Sequence, residues 1–414
     1  MKIVYPLTAL AASLLAAGAA CLAADGPAAW PCWRGPAGNG VSDERGWNSD
    51  ALTDGAKVLW RTNVNAGFSS VVVRGDRLYT AGWRSNTGTV FCLNAQTGGP
   101  VWRYDYACKA VTTEGSRGTP TLDGDSLYAL TERGLVLCLD AAKGAVKWQR
   151  NLEEEKLAKM PFYGFSGSPV VYGELLILNA GLSGLALNKK TGETVWSSAA
   201  EPAGYATPVI RQIGGRDVAV IFGKAAVYGV NPKDGKLGWS YSWDTGYDSS
   251  VADPIVLGEK VFVSSCYDKG NWQLDKGCAL LNVAGETPLV EWENKNMRNH
   301  MAACVVLAGH AYGFDLKADN KKASLKCLDL ATGEVKWSQG PGFFGTLMAA
   351  DGKLIVLTQA GSLVIVEAAP AGYRELARAD SVLPKQCWTV PVLCGDRIYG
   401  RNDKGDLVCV DVSR

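Results

Sequence analysis

Histidine is almost missing from this chain, with two copies among 414 residues. Imidazole is the commonest metal ligand and the most frequent general acid or base, so neither kind of centre has much material here. The twelve cysteines include no adjacent pair, no C-x-x-C and no C-x-x-C-H. That removes the usual redox, zinc-ribbon and c-type haem signatures, and no metal site can be identified. Neither sign of charge is in excess: 42 Lys plus Arg face 41 acids, and Lys2 lies in a segment expected to be cleaved, which leaves the mature chain formally neutral. Without a basic surplus there is no footprint for a phosphate backbone, and nucleic acid is not an expected partner. No segment after the N-terminus reaches ~18 uninterrupted apolar residues, so no spanning helix is expected once the leader is gone. Gly is abundant and 47% of residues are hydrophobic, the balance of a loop-rich globular protein.

The first thirty residues, "MKIVYPLTALAASLLAAGAACLAADGPAAW", carry one Lys, an apolar run and then small residues. This is the pattern of a secretory leader. Residues 1–24 are expected to be a signal peptide, 25–56 an extension capping the fold, and 57–414 the fold itself. The destination is then periplasmic or secreted, with lipid anchoring at Cys21 as the lesser alternative, because Gly18 stands where a lipoprotein signal wants Leu. Cys92, Cys138, Cys327 and Cys409 recur in one slot of a repeat ("FCLN", "LCLD", "KCLD", "VCVD"). Equivalent slots lie too far apart to bridge, so these four read as small buried apolar side chains. Pairing among Cys32, Cys108, Cys266, Cys278, Cys304, Cys387 and Cys394 stays open.

The repeat is the strongest signal. "LDLATGEVKW" (328–337) has near-copies at 93–102, 139–148, 187–196 and 230–239, and the anchoring Trp60, Trp102, Trp148, Trp196, Trp239, Trp292 and Trp337 lie 42 to 53 residues apart. That is the length of a four-stranded propeller blade. A second phrase, typified by "GTPTLDGDSLY" (118–128), recurs eight times as two short apolar runs around a tight Gly turn, the signature of a hairpin. The seventh copy of the first phrase has Leu376 in place of Trp, and the eighth stops before its outer strand. "KVLWRT" (57–62) carries Trp60 at the right distance to supply that strand from the other end. The spacing therefore predicts an all-β, eight-bladed propeller closed by its two termini, with seven blades as the alternative.

The D-x-x-T-G-x-x-x-W phrase resembles the tryptophan-docking motif of pyrroloquinoline quinone (PQQ) dehydrogenases. It is also similar to the repeat of the propeller lipoprotein in the outer-membrane β-barrel assembly machinery. The segment "WPCWRGPAGNG" (30–40) resembles the W-P-x-W-R-G-P opening of exported PQQ-like repeat proteins. The dehydrogenase resemblance implies PQQ sandwiched by an adjacent-cysteine disulfide or its substitute, Ca²⁺ held by Glu, Asn and Asp, and an Asp base. The adjacent cysteines are absent, the calcium ligands cannot be placed by motif, and Asp253 is a positional candidate only.

Tight turns fall on one face of such a ring and long irregular connections on the other, where function is expected. Aligning the eight inner strands brings Phe68, Arg117, Ser166, Tyr205, Val251, Ala302, Gly345 and Trp388 to one level facing the channel. Two positions further on, seven strands hold Ser, Thr, Val, Leu or Cys, and one holds Asp253, for which Arg117 or Arg298 would be the counter-charge. Arg298, Asn299 and His300 form the densest polar segment and are candidates for an anionic or carbonyl-rich ligand, whereas His310 belongs to the opposite face. Tyr163, Tyr205 and Trp388 are candidate stacking platforms, and Trp30, Trp33 and Arg34 could cap one end of the ring. The preferred reading is a non-catalytic, monomeric envelope scaffold with a protein or small-molecule ligand on the loop face. The alternatives are a PQQ/Ca²⁺-dependent alcohol or sugar dehydrogenase and a carbohydrate- or peptide-binding module.

Overall fold

A computed structural model describes residues 29–112, 114–245, 250–266, 276–316 and 323–414. Alternating apolar runs and Gly turns fold as eight antiparallel sheets arranged in a ring. Blade 1 spans 72–107, blade 2 121–151, blade 3 170–197, blade 4 209–242, blade 5 255–294, blade 6 305–339 and blade 7 345–379. Blade 8 combines residues 392–411 with Val58–Asn63, which pairs antiparallel with Asp406–Asp411. The ring thus has eight blades, not seven, and its two ends share one sheet, leaving no open seam.

The Trp phrase does the same local work in blade after blade. Each outer hairpin contains a register shift beside the Trp position, a bulge that re-aims a side chain. The ring of Trp102 lies against Gly144 of the next blade and that of Trp148 against Gly192, where a Cβ would come within 2.5 and 2.8 Å of the indoles. Both glycines have positive φ, 72° and 77°, so the turn and the close approach both require Gly. The indole N–H then donates to the neighbouring turn: Trp60 to Ala95 O, Trp102 to Ala141 O, Trp148 to Lys189 O, Trp196 to Pro232 O, Trp292 to Leu330 O and Trp337 to Ala369 O. Blade 7 therefore receives its neighbour's Trp although it has none of its own. Trp239 faces the altered blade 5 turn, and its buried Nε1 has no hydrogen-bond partner.

The repeated cysteines lie directly opposite these tryptophans: Cys92 faces Trp102, Cys138 Trp148, Cys327 Trp337 and Cys409 Trp60. Blade 4 has Gly229 in that slot, where a Cβ would meet Trp239 at 2.1 Å, so cysteine serves there as a small buried group. All eleven described cysteines are free thiols, and Cys32 is the one not fully buried.

Residues 29–44 run around the inside of the ring. Ala29–Trp30 pair with the inner strand of blade 1, and Pro31 O accepts Leu122 N–H of blade 2. Ala37 O accepts the guanidinium of Arg211 in blade 4, while Val41–Ser42 add a parallel strand to blade 7. Glu44 accepts the backbone N–H groups of Gly395 and Asp396 in blade 8.

Candidate functional site

The channel is built on one register position. Thr119 Oγ1 accepts Ser70 N–H at 3.0 Å, Ser168 Oγ accepts Thr119 N–H at 3.0 Å, and Thr207 Oγ1 accepts Ser168 N–H at 3.0 Å. Asp253 Oδ1 accepts Thr207 N–H at 2.7 Å. Five consecutive inner strands are thus laced by the side chain that follows Gly, Ala or Ser in the G-T-P phrase, and Asp253 is the last member. The next blade has Cys304, whose thiol turns instead to Asn299 Oδ1.

Where the lacing stops, the N-terminal segment enters. Trp33 Nε1 donates to Asp253 Oδ2 at 2.6 Å, and Arg34 Nε lies 3.9 Å from the same oxygen. Arg34 also donates to Ala303 O at 3.1 Å and Cys304 O at 2.6 Å, bridging blades 5 and 6. The backbone at Arg34 takes φ 62°, followed by Gly35 at 79°, a tight turn that aims the guanidinium inward. Burial pushes the Asp253 carboxyl above its ordinary pKa, against the pull of Arg34, the Trp33 indole and the Thr207 amide. Burial likewise lowers the pKa of Arg34, opposed by Asp253. The counter-charge of Asp253 is therefore Arg34, and neither Arg117 nor Arg298. Nothing in the spacing of the blades points to it; the signal is the W-R-G sequence itself, an Arg set before a flexible Gly.

One level towards the long connections, Phe68, Arg117, Ser166, Val251, Ala302 and Trp388 are half-exposed and line a mouth. Tyr205 and Gly345, at the same level, are buried. Phe68 and Trp388 stack at 5.9 Å with their planes 20° apart, and Trp388 Nε1 donates to Gln359 Oε1 at 3.3 Å. Tyr163 and Tyr205 lie 6.0 Å apart, with the Tyr163 backbone N–H on the Tyr205 hydroxyl, and the 52% exposed Phe162 sits edge-on against Tyr163. Arg117 donates to Gly115 O at 3.2 Å; burial lowers its pKa, with Glu132 the leading opposing charge.

The segment 298–300 does not present one polar face. Arg298 is 7% exposed and forks onto Asp315 at 2.7 and 2.8 Å, where Lys326 joins at 2.6 Å. Asn299 Nδ2 donates to Phe314 O at 3.0 Å, and His300 is half-exposed. His310 sits at a tight turn of blade 6, 3.9 Å from Asp329.

Asp253 is the positional candidate that the PQQ and calcium reading puts forward. Both oxygens of Asp253 are engaged, and the cavity beside it, between the N-terminal segment and blades 2–4, measures about 50 Å³. Among the described residues no three His, Cys, Asp or Glu side chains gather as a metal site.

The profile of the family described as outer membrane protein assembly factor BamB matches residues 48–116 and 108–339. A BamB of Xanthomonas campestris pv. campestris is 29% identical over 181 residues, 42% of this chain and 40% of that protein. The match therefore spans about two fifths of the length of this curated relative. Among solved structures, BamB from Moraxella catarrhalis superposes with a TM-score of 0.61 at 16% identity, over 86% of this chain and 97% of that one. Quinohemoprotein alcohol dehydrogenase from Comamonas testosteroni gives 0.67 at 14% identity, over 93% and 81%. At these identities the structural likeness is one of fold.

Proposed function

Because the chain belongs to the family of outer membrane protein assembly factor BamB, we propose that it is a non-catalytic propeller of the cell envelope, holding a protein partner of outer-membrane assembly on its loop face. The observation that carries this reading is the engagement of Asp253: the chain's own Trp33 and Arg34 hold the carboxylate that the inner strands bring to the channel. The loop face offers a partner apolar surface, where Phe162 is 52% exposed beside the Tyr163–Tyr205 pair and Leu182, in the middle loop of blade 3, is 42% exposed. Exposed apolar side chains beside aromatic rings are the usual raw material of a protein contact. The proposal includes no PQQ and no Ca²⁺.

Site-specific photocrosslinking in cells tests it. A crosslinker at position 162 is expected to capture a subunit or client of outer-membrane protein assembly, and one at Leu289, on the outer strand of blade 5, is not. Equal capture at both positions, or none at 162, would sink the proposal. A second reading, a carbohydrate- or peptide-binding module, draws on the half-exposed Phe68–Trp388 stack. It expects Trp388→Ala to abolish binding to an oligosaccharide or peptide array.

A further inference from the structure

A separate cleft of about 390 Å³ opens on the loop side of the junction between blades 8 and 1. Its volume falls in the range of roughly 300–1,000 Å³ typical of small-molecule sites. The walls come from four parts of the chain: residues 63–66 after the closing strand, the middle loop of blade 1, Glu114 in the connection from blade 1 to blade 2, and the middle loop of blade 8. Asn65 at φ 61° and Ser85 at φ 50° hold both of the first two walls in left-handed backbone, a conformation that costs free energy at residues other than Gly.

Polar side chains, most of them exposed, line this cleft. The Arg84 guanidinium, the Asn65 amide, the Ser85 hydroxyl and the Glu114 carboxylate make no hydrogen bond or ion pair among the described residues. The Lys404 ammonium reaches a charge only at 3.9 Å, on Asp403. Behind the wall lies a further cation. Arg401 is 1% exposed and donates to Ser69 O, Ala81 O, Thr80 Oγ1 and the Asn65 carbonyl, all of them neutral. A guanidinium buried without a carboxylate leaves positive potential at the nearest opening, and Asn65 is the residue that touches both.

We infer that this cleft binds a sugar acid, a pyranose bearing a carboxylate or phosphate group. Arg84 and Lys404 would take the anion, and Asn65, Ser85 and Glu114 the ring hydroxyls. Charge-assisted hydrogen bonds select the anion. Glu114 selects against a bare one, because a carboxylate accepts from hydroxyls but repels an oxyanion that has none to donate.

The test is calorimetric titration of the purified protein with D-glucuronate, D-glucose and inorganic phosphate, repeated on an Arg84→Ala/Lys404→Ala double variant and on Glu114→Gln. Circular dichroism melting of each variant checks that the ring is intact, which these surface changes should leave unaltered. Glucuronate is expected to bind about tenfold or more tightly than glucose, the step that one charge-assisted contact supplies. The double variant should lose that advantage and Glu114→Gln should weaken glucuronate while improving phosphate. Three results overturn the inference: no heat with glucuronate, phosphate binding as well as glucuronate, or an unchanged constant in the folded double variant.

Discussion

Arg34 and Asp253 are the pair on which the interior turns, and they were the least legible in the sequence. The inner-strand alignment brought Asp253 to the channel, because register in a sheet follows the period of two. Its partners could not be read that way, since Trp33 lies 220 positions away in a segment outside the repeat. Arg34→Ala should destabilise the fold by about 3–5 kcal/mol in urea denaturation, because it leaves a buried carboxylate without its counter-charge. Asp253→Asn in the same background should recover part of that loss. The pH dependence has a definite sign. A carboxyl whose folded pKa is raised binds its proton more tightly in the native state, so its contribution is fully present at acid pH and is lost as pH rises through the folded pKa. The stability of the wild type relative to Asp253→Asn should therefore fall as pH rises, and in Arg34→Ala that fall should extend to higher pH. A flat difference across the acid-to-neutral range would contradict the burial assigned to Asp253. The thiols give a simpler check: the native protein should react quickly with a thiol reagent at Cys32 alone among the described cysteines, the rest following only on unfolding.

Among the elements, the outer hairpin was legible almost in full. Its Gly, its Asn or Asp and its Trp are each dictated by local geometry, so the phrase could be recognised wherever it recurred. Its two defects were legible as well, but their consequences were not. Blade 7 lacks Trp yet still receives one from blade 6. Blade 5 has a different turn, and the cost falls on its neighbour, where the Trp239 indole N–H is buried unsatisfied. That difference can be measured. Trp102→Phe discards a hydrogen bond, while Trp239→Phe discards an unpaired buried donor, which costs about 1–3 kcal/mol where it stands. Equilibrium unfolding should show Trp239→Phe less damaging than Trp102→Phe by about that amount. The long connections, by contrast, carry no repeat and no period. For this reason the mouth could be outlined from the strands that lead into it, while the engagement of Arg298 by Asp315, an acid that Lys326 shares, could not.

At the level of the whole molecule, eight blades and their closure followed from the count of hairpins and one displaced Trp strand. Deleting residues 57–63 should expose the edge of Asp406–Asp411 and convert a monomeric elution profile to oligomers or aggregates, since an unpaired strand recruits another. A variant that stayed monomeric with an unchanged melt would mean that the terminal strand is dispensable. The segment 29–44 adds a constraint of timing. It hydrogen-bonds to blades 1, 2, 4, 5, 6, 7 and 8, so most of its partners do not yet exist when it leaves the ribosome. Blades 1 to 7 can assemble in order from local contacts, but the first-made segment has to wait for the last-made strand before either is secured. Ring formation is for this reason a single late event that reads the chain from end to end, and a product truncated within blade 8 would leave both the seam and the channel open together.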